Sequence, residues 1–233
     1  MEKTKPIKEL ELYIIRHAQS MGNAGYADES VLTETEKHDP VLTEKGLEQA
    51  DKAGIYLSEI DFDAVFSSAM LRTVQTATGI LRHQKTEKKL DILPLVCEMG
   101  IPPEYKGVTF DDIRKINPDA VLAADINENT PMVYSNSGSD EEGTFERAEK
   151  AIAYLRNHFS SGEKIAVVSH GAFITYIVFS LMGYKGHTPL FDIDFNNAGI
   201  TKVILYKKGT NRYGDTVFEV INDTAHLKEN CRI

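Results

Sequence analysis

Three short runs, Leu10 to Ile15, Ala64 to Phe66 and Ile165 to Val168, are apolar nearly throughout. They constrain the fold more than any other feature of the chain. A strand that is apolar on both faces has to be covered on both, and such strands belong to mainly parallel sheets flanked by helices. The segments between them carry helix periodicity. Leu42 to Leu57 reads as a helix capped by Thr43, with Leu47, Ala50, Gly54 and Leu57 on one face. Met70 to Leu81 follows the second strand as a helix. Leu90 to Val96 reads as extended, interrupted by Pro94. Thr109 to Ile116 reads as a short helix with Asp111 and Asp112 in its first turn and Pro118 as its stop. Phe145, Ala148, Ile152, Leu155 and Phe159 mark an amphipathic helix capped by Thr144, and Phe173 to Met182 a buried one. Gly199 to Tyr206 and Thr216 to Ile221 alternate like the arms of an antiparallel hairpin. The pattern predicts a three-layer α/β fold within a single domain spanning residues 1–233.

Two segments stand outside this pattern. Gly22 to Val41 carries Asp28, Glu29, Glu34, Glu36 and Asp39 against Lys37 alone, a net −4. Asn117 to Gly143 carries Asp119, Asp125, Glu128, Asp140, Glu141 and Glu142 with no Lys or Arg, a net −6. Both read as irregular, and 117–143 as an insertion that forms a lid over the site. Their acidity leaves the rest of the chain close to neutral, within an overall net charge of −9. That balance argues against a nucleic-acid binder, which needs a basic face, but allows a small phosphorylated ligand in a local basic pocket. The only cysteines, Cys97 and Cys231, do not make a disulfide framework, and the first residues lack the apolar core of a secretory signal. A cytoplasmic protein that does not enter membranes is the expectation. The apolar stretch from Ile165 to Met182 is broken by Ser169-His170-Gly171 and reads as strand plus core helix rather than a membrane span.

Chemistry gathers at the strand ends. The first strand runs into Arg16-His17-Ala18-Gln19-Ser20, with Asn23 soon after. The second runs into Ser67-Ser68, with Arg72 opening the next helix. The strand at Ile165 runs into Ser169-His170-Gly171. Ligands of open α/β sheets bind outside the carboxyl ends of the strands, so two histidines and two arginines are delivered to one edge. Arg72 lies near a helix N-terminus, which itself favours an anion.

With these residues the chain resembles the histidine phosphatase superfamily, the phosphoglycerate mutase-like proteins, over nearly its whole length and in the family's order. Arg16, His17 and Asn23 match its first motif. Leu42-Thr43 through Gly46 and Gln49-Ala50 match its usual helix start. Ser67, Ser68, Arg72, Thr73, Thr76 and Ala77 match its second motif. Glu98 stands where the family keeps its acid, and Ser169-His170-Gly171 match the last motif. Asn222-Asp223 and Ala225-His226-Leu227 are similar to its C-terminal run. Ala18 departs from the family's glycine, and its methyl is expected to tighten the phosphate pocket.

The resemblance implies phosphomonoester hydrolysis in two displacements, with no cofactor and no metal. Neutral His17 attacks phosphorus, Arg16 and Arg72 fork onto phosphoryl oxygens, and protonated His170 steadies the transition state. Glu98 protonates the leaving alkoxide. Asn23 and Gly171 complete the phosphate-binding positions. His38, His83, His158 and His187 read as structural or exposed, His226 as a residue with a minor claim on the site, and Cys97 as core packing. A cofactor-dependent phosphoglycerate mutase is the alternative. It is disfavoured because a mutase needs further basic side chains for its substrate's second acidic group. A metallohydrolase and a catalytically silent phosphate binder are further alternatives. The acidic segments, if they overhang the site, are expected to repel highly anionic esters such as bisphosphates.

Overall fold

The computed structural model describes residues 5–25, 32–127, 129–134, 140–186 and 192–227. Asp28, Glu29, Glu128, His187 and Cys231 therefore lie outside the described residues. The described strands form one seven-stranded sheet. They are β1 (Lys8–Arg16), β2 (Ala64–Ser67), β3 (Leu90–Ile92), β4 (Val121–Leu122), β5 (Glu163–Ser169), β6 (Ile200–Tyr206) and β7 (Thr216–Asp223), in the order β4-β3-β2-β5-β1-β6-β7. β4, β3, β2, β5 and β1 run parallel, while β6 pairs antiparallel with both β1 and β7.

Helices cover both faces: α1 (Met21–Ala24), α2 (Glu34–His38), α3 (Glu44–Leu57), α4 (Leu71–Leu81), α5 (Phe110–Ile116), α6 (Glu141–His158) and α7 (Gly171–Leu181). Alternation along the strands divides the core into two layers. Leu10, Leu12, Ile14, Ile165 and Val167 pack with residues of α6 and α7 such as Phe145, Phe173 and Val178. Tyr13, Ile15, Ala166 and Val168 pack on the other face with Ala50, Ala53, Val74 and Ala77 of α3 and α4. Among the described residues no helix is long and apolar enough to cross a membrane.

Several expectations change in detail. Leu47 is 49% exposed, because the buried stripe of α3 is Gly46, Gln49, Ala50, Ala53, Gly54 and Leu57. Small residues on that stripe let α3 and α4 approach closely: a Cβ at Gly79 would lie 2.9 Å from the Ala50 Cβ. Asp140, not Thr144, caps α6, accepting from the Gly143 N–H at 2.9 Å, so the helix starts before its apolar pattern does. Leu90 to Val96 is β3 followed by a 3-10 turn at Pro94–Val96. α7 begins at Gly171, directly after His170.

The two segments expected to be irregular are partly built into the fold. α1 and α2 lie in the first, each closed by a capping box, from Ser20 to Asn23 and from Thr33 to Glu36. The second supplies β4, which extends the sheet by pairing Asp91 with Val121 and Ile92 with Leu122, and the first turn of α6. Leu122 and Met132 pack against the second core layer and Val133 is buried, so these apolar residues pin the segment down.

The loop after β1 is stitched to the start of α3. Thr43 caps the helix by accepting from the Gly46 N–H at 3.0 Å, and its own N–H donates to the Gln19 carbonyl at 3.0 Å. Gln49, fully buried, accepts from the Gln19 N–H at 2.8 Å. Gly46 is required for the approach, since a Cβ there would lie 2.0 Å from the Gln19 carbonyl oxygen. Backbone cannot yield as a side-chain tip does. Gly46→Ala is therefore expected to lower unfolding free energy by about 1–3 kcal/mol, read as a fall in the urea midpoint. An unchanged midpoint would show that this loop is not held as described.

Candidate active site

Strand register brings the polar strand ends together. Arg16 of β1 lies opposite Ser169 of β5, and Ser67 of β2 opposite Val168. The His17 N–H then donates to the Ser169 carbonyl at 2.9 Å, and the Ser68 N–H to the Val168 carbonyl at 3.2 Å. The imidazoles of His17 and His170 consequently lie 5.3 Å apart, ring centre to ring centre. Both are buried, at 3% and 0% exposure.

The hydrogen bonds assign a tautomer to each ring. His17 Nδ1 is 2.7 Å from the Ala18 carbonyl, which can only accept, so Nδ1 carries the proton and Nε2 a lone pair. Arg72 Nε donates to that Nε2 at 3.3 Å. His170 Nε2 lies 2.8 Å from Ser68 Oγ, which lies 2.7 Å from Thr73 Oγ1. The Thr73 hydroxyl is committed to the Met70 carbonyl at 2.7 Å, so Ser68 donates to Thr73 and accepts from His170 Nε2–H. His170 Nδ1 is left with a lone pair, buried and without a partner.

Burial, reinforced by the Arg72 and Arg16 charges, holds His17 well below the ordinary imidazole pKa. Burial and Arg72 do the same to His170. The role that the resemblance implies for His170 requires its protonated form, against which burial and the neighbouring cations act here. Arg16 directs Nη1 to the Phe195 carbonyl, while its Nε is buried without a partner. Gly171 stands against this guanidinium, where a Cβ would lie 3.1 Å from Nε.

Glu98 joins the cluster from the turn after β3. Its Oε1 accepts from the N–H groups of Met99 at 3.0 Å and of Phe173, in the first turn of α7, at 3.1 Å. Burial raises its pKa above the usual carboxyl range, against the pull of those N–H groups and of Arg72. Asn23 is attached less directly. Its Oδ1 accepts from Asn197 Nδ2 at 3.1 Å, and the same Nδ2 donates to the His17 carbonyl at 3.1 Å. The Ala18 methyl packs within the second core layer, with its N–H donating to Thr76 Oγ1 at 3.0 Å. The expected crowding of the pocket by that methyl is therefore not what the packing provides.

Sequence reasoning missed three residues at this site. Asp39, counted only as part of an acidic segment, is 1% exposed. It accepts from the Leu71 N–H at 2.8 Å and from Arg72 Nη1 at 3.3 Å. Burial lifts its pKa to about 6 against the pull of Arg72. Asn197 ties the His17 loop to Asn23. Arg147 of α6, 5% exposed, donates to the carbonyls of Leu95 (3.1 Å), Cys97 (2.6 Å) and Glu98 (3.3 Å) and covers the Phe173 ring at 3.8 Å. No local sequence signal marks Asp39 or Asn197 as different from any other loop Asp or Asn. Arg147 carried a faint one, a charge one position from the apolar stripe of its helix.

Of the other described histidines, His38 accepts from Arg72 Nη1 through its carbonyl at 3.5 Å, and three lie apart. His83 pairs with Asp51 at 2.6 Å and His158 with Asp125 at 3.1 Å. His226 stacks on Tyr56 at 5.3 Å. Cys97 is buried, and burial pushes its thiol pKa up. Among the described residues no three His, Cys, Asp or Glu side chains gather as a metal-holding group. The arrangement can hold an anion: two guanidiniums and a neutral imidazole converge beside a second imidazole with its Nε2 lone pair inward.

Arg147 fixes the turn that carries Glu98. Arg147→Met would strand the three carbonyls, and an unfolding free energy lower by about 2–5 kcal/mol is expected from chemical denaturation. Arg147→Lys should recover only part of it, because one ammonium cannot fork across the turn. Full recovery by lysine would contradict this assignment.

Comparison with known proteins agrees with the geometry. The family model described as Histidine phosphatase superfamily (branch 1) matches residues 12–215. The 2,3-bisphosphoglycerate-dependent phosphoglycerate mutase 1 of Arabidopsis thaliana is 26% identical over 208 residues. That match takes in 76% of this chain but spans only 59% of the plant protein. The broad-specificity phosphatase YOR283W of Saccharomyces cerevisiae is 27% identical over 229 residues, covering 94% of this chain and 87% of the yeast protein. A phosphoserine phosphatase mutant from Entamoeba histolytica, crystallised with phosphoserine, superposes with a TM-score of 0.56 at 23% identity, over 94% of this chain and all of that one. The match of the family model over most of the chain, together with this mainly parallel sheet, places the protein in the histidine phosphatase superfamily, branch 1.

Proposed function

We propose that the protein is a metal-independent phosphomonoester hydrolase working through a phosphohistidine on His17, with a small phosphorylated metabolite as substrate. The observation that carries this reading is the pair of buried unpartnered atoms, Arg16 Nε and His170 Nδ1, beside the His17 Nε2 lone pair. Buried polar atoms are normally satisfied, and a phosphoryl group supplies acceptors for the first and either a proton or a charge for the second.

In the first displacement His17 Nε2 attacks phosphorus, the phosphorus–oxygen ester bond breaks, and the leaving oxygen takes the Glu98 proton. Arg72 transfers its Nε–H from His17 to a phosphoryl oxygen as the substrate enters. His170 Nδ1 gains a proton only when phosphate charge is present to offset burial. In the second displacement Glu98, now a carboxylate, takes a proton from water. The oxygen attacks phosphorus, and the phosphorus–nitrogen bond breaks to restore neutral His17. Asp39 orients Arg72 and Arg147 orients the Glu98 turn; neither touches the reacting atoms in this scheme.

The similarity to the yeast phosphatase, over 94% of this chain and 87% of that protein, supports hydrolysis. The expectation of repulsion by the acidic segments loses part of its basis. Asp39 is buried against Arg72 and Glu34 pairs with Lys37, so two of that segment's five acids face a cation of this chain rather than an incoming anion.

p-Nitrophenyl phosphate should be hydrolysed in excess EDTA, with activity lost in His17→Ala. Faster isomerisation of phosphoglycerate than hydrolysis of any ester would overturn the reading in favour of a mutase. The pH profile of kcat/KM gives a second check. His17 must be neutral, and its depressed pKa moves the ascending limb below the usual imidazole range. Glu98 must be protonated, and its raised pKa moves the descending limb above the usual carboxyl range. The optimum should lie on the acid side of neutrality. Glu98→Gln should remove the descending limb and lower kcat for alkyl esters by about 10²–10⁴, and less for p-nitrophenyl phosphate, whose leaving group needs no proton.

A further inference from the structure

A cavity of about 370 Å³ is lined by Tyr105, Lys106, Pro131, Val133 and Tyr134. Tyr105, Val133 and Tyr134 of this lining also belong to a small apolar cluster with Met70, Cys97 and Ile101. Met70 precedes the helix that carries Arg72, and Cys97 precedes Glu98, so this cluster bridges the two arms of the candidate site. Gly107, at φ +84°, lets its walls meet: a Cβ there would lie 3.2 Å from Val133 Cγ1 and 3.3 Å from Met132 Cβ.

Each tyrosine is tied to one arm. The Tyr105 ring lies 5.4 Å from the ring of His38, whose neighbour Asp39 holds Arg72. The Tyr134 N–H donates to Cys97 Sγ at 3.2 Å. Its ring lies 5.5 Å from the Arg147 guanidinium that holds the Glu98 carbonyl. In the proposed chemistry the leaving group departs towards Glu98, whose turn is held by the Arg147 against which Tyr134 packs.

The lining is two phenol rings, a proline ring and a valine, with one formal charge. That charge, Lys106, is exposed and directs its ammonium to the Pro103 carbonyl at 2.5 Å. No arginine is among the described residues that line the cavity. Flat apolar walls favour offset or edge contact with another ring, and the volume is at the small end for ligand cavities. We propose that Tyr105 and Tyr134 form the leaving-group subsite and select phosphomonoesters whose leaving group carries a single aromatic ring system. This rests on the phosphatase reading above.

The test separates binding from turnover. Calorimetry compares 3-phenylpropylphosphonate with butylphosphonate on the wild-type chain, since neither can be hydrolysed. In parallel, kcat/KM is compared for 2-phenylethyl and propyl phosphate, whose alcohols have similar acidity. The phenyl member of each pair should be favoured about 10–100-fold. Tyr134→Phe should keep that ratio, and Tyr134→Ala and Tyr134→Leu should bring it towards one; the leucine variant retains bulk should alanine fail to fold. Equal binding of the two phosphonates overturns the subsite and leaves the phosphatase reading intact if propyl phosphate is still hydrolysed through His17. A phenyl preference that survives in both Tyr134→Ala and Tyr134→Leu overturns it too, because the ring then binds elsewhere. A Tyr134-dependent phenyl preference without hydrolysis of any ester keeps the subsite and removes the phosphatase reading. Binding of neither phosphonate at millimolar concentration overturns the subsite, and the phosphatase reading falls with it when no ester is hydrolysed through His17.

Discussion

The parallel register of β1 on β5 is the constraint on which the site depends. Arg16 opposite Ser169 sets His17 and His170 side by side as the two strands end, and the His17 N–H to Ser169 carbonyl bond extends the ladder into the loop that carries His17. A slip of one residue would turn one of these strand ends to the opposite face of the sheet. The register is protected by burial on both faces, since Leu12 and Ile14 belong to one core layer and Tyr13 and Ile15 to the other. Both the hydrophobic packing and the geometry of the candidate site are therefore consequences of one strand pairing.

Around that pairing the structure concentrates positive charge and leaves it incompletely balanced. Arg16, Arg72 and Arg147 approach two imidazoles that burial keeps neutral. Asp39 is the carboxylate in salt-bridge contact with Arg72, and Arg147 satisfies itself with backbone carbonyls instead. Withdrawing cations from water without full pairing is costly unless an anion restores the balance. In the proposed function a phosphoryl dianion does so, and its charge lets His170 take up a proton. Under that proposal binding and activation are coupled electrostatically, because what fills the pocket changes the protonation state of the group that holds it.

The strands and most helices were legible because their residues pattern against water: two-sided apolar runs for the inner strands, a three-to-four spacing for α6 and clear capping residues for α3 and α5. Errors arose where pattern and packing diverge. Leu47 has the right period for α3 but the wrong phase, since the true contact stripe is made of small residues that hydrophobicity ranks low. Thr144 looked like a cap because the apolar repeat begins after it, yet Asp140 satisfies the first turn four residues earlier. The short β4 was invisible, because two residues acquire strand geometry only from the neighbouring β3. Of the candidate site, Arg16, His17, Arg72 and His170 were legible from strand ends that a parallel sheet must align, and Glu98 only through the family's motif order.

The sequence by itself determined the buried parallel sheet and the delivery of two arginines and two histidines to one edge, because hydrophobic period and strand direction are local properties of the chain. Only the tertiary structure decided which groups finish the site. Asp39 reaches Arg72 across 33 positions, Asn197 reaches His17 across 180, and Arg147 reaches the Glu98 turn across about 50. Their roles depend on desolvation and on angles between packed elements. No local pattern encodes those quantities, since an aspartate, an asparagine or an arginine has the same sequence neighbours whether it ends in water or against a buried partner.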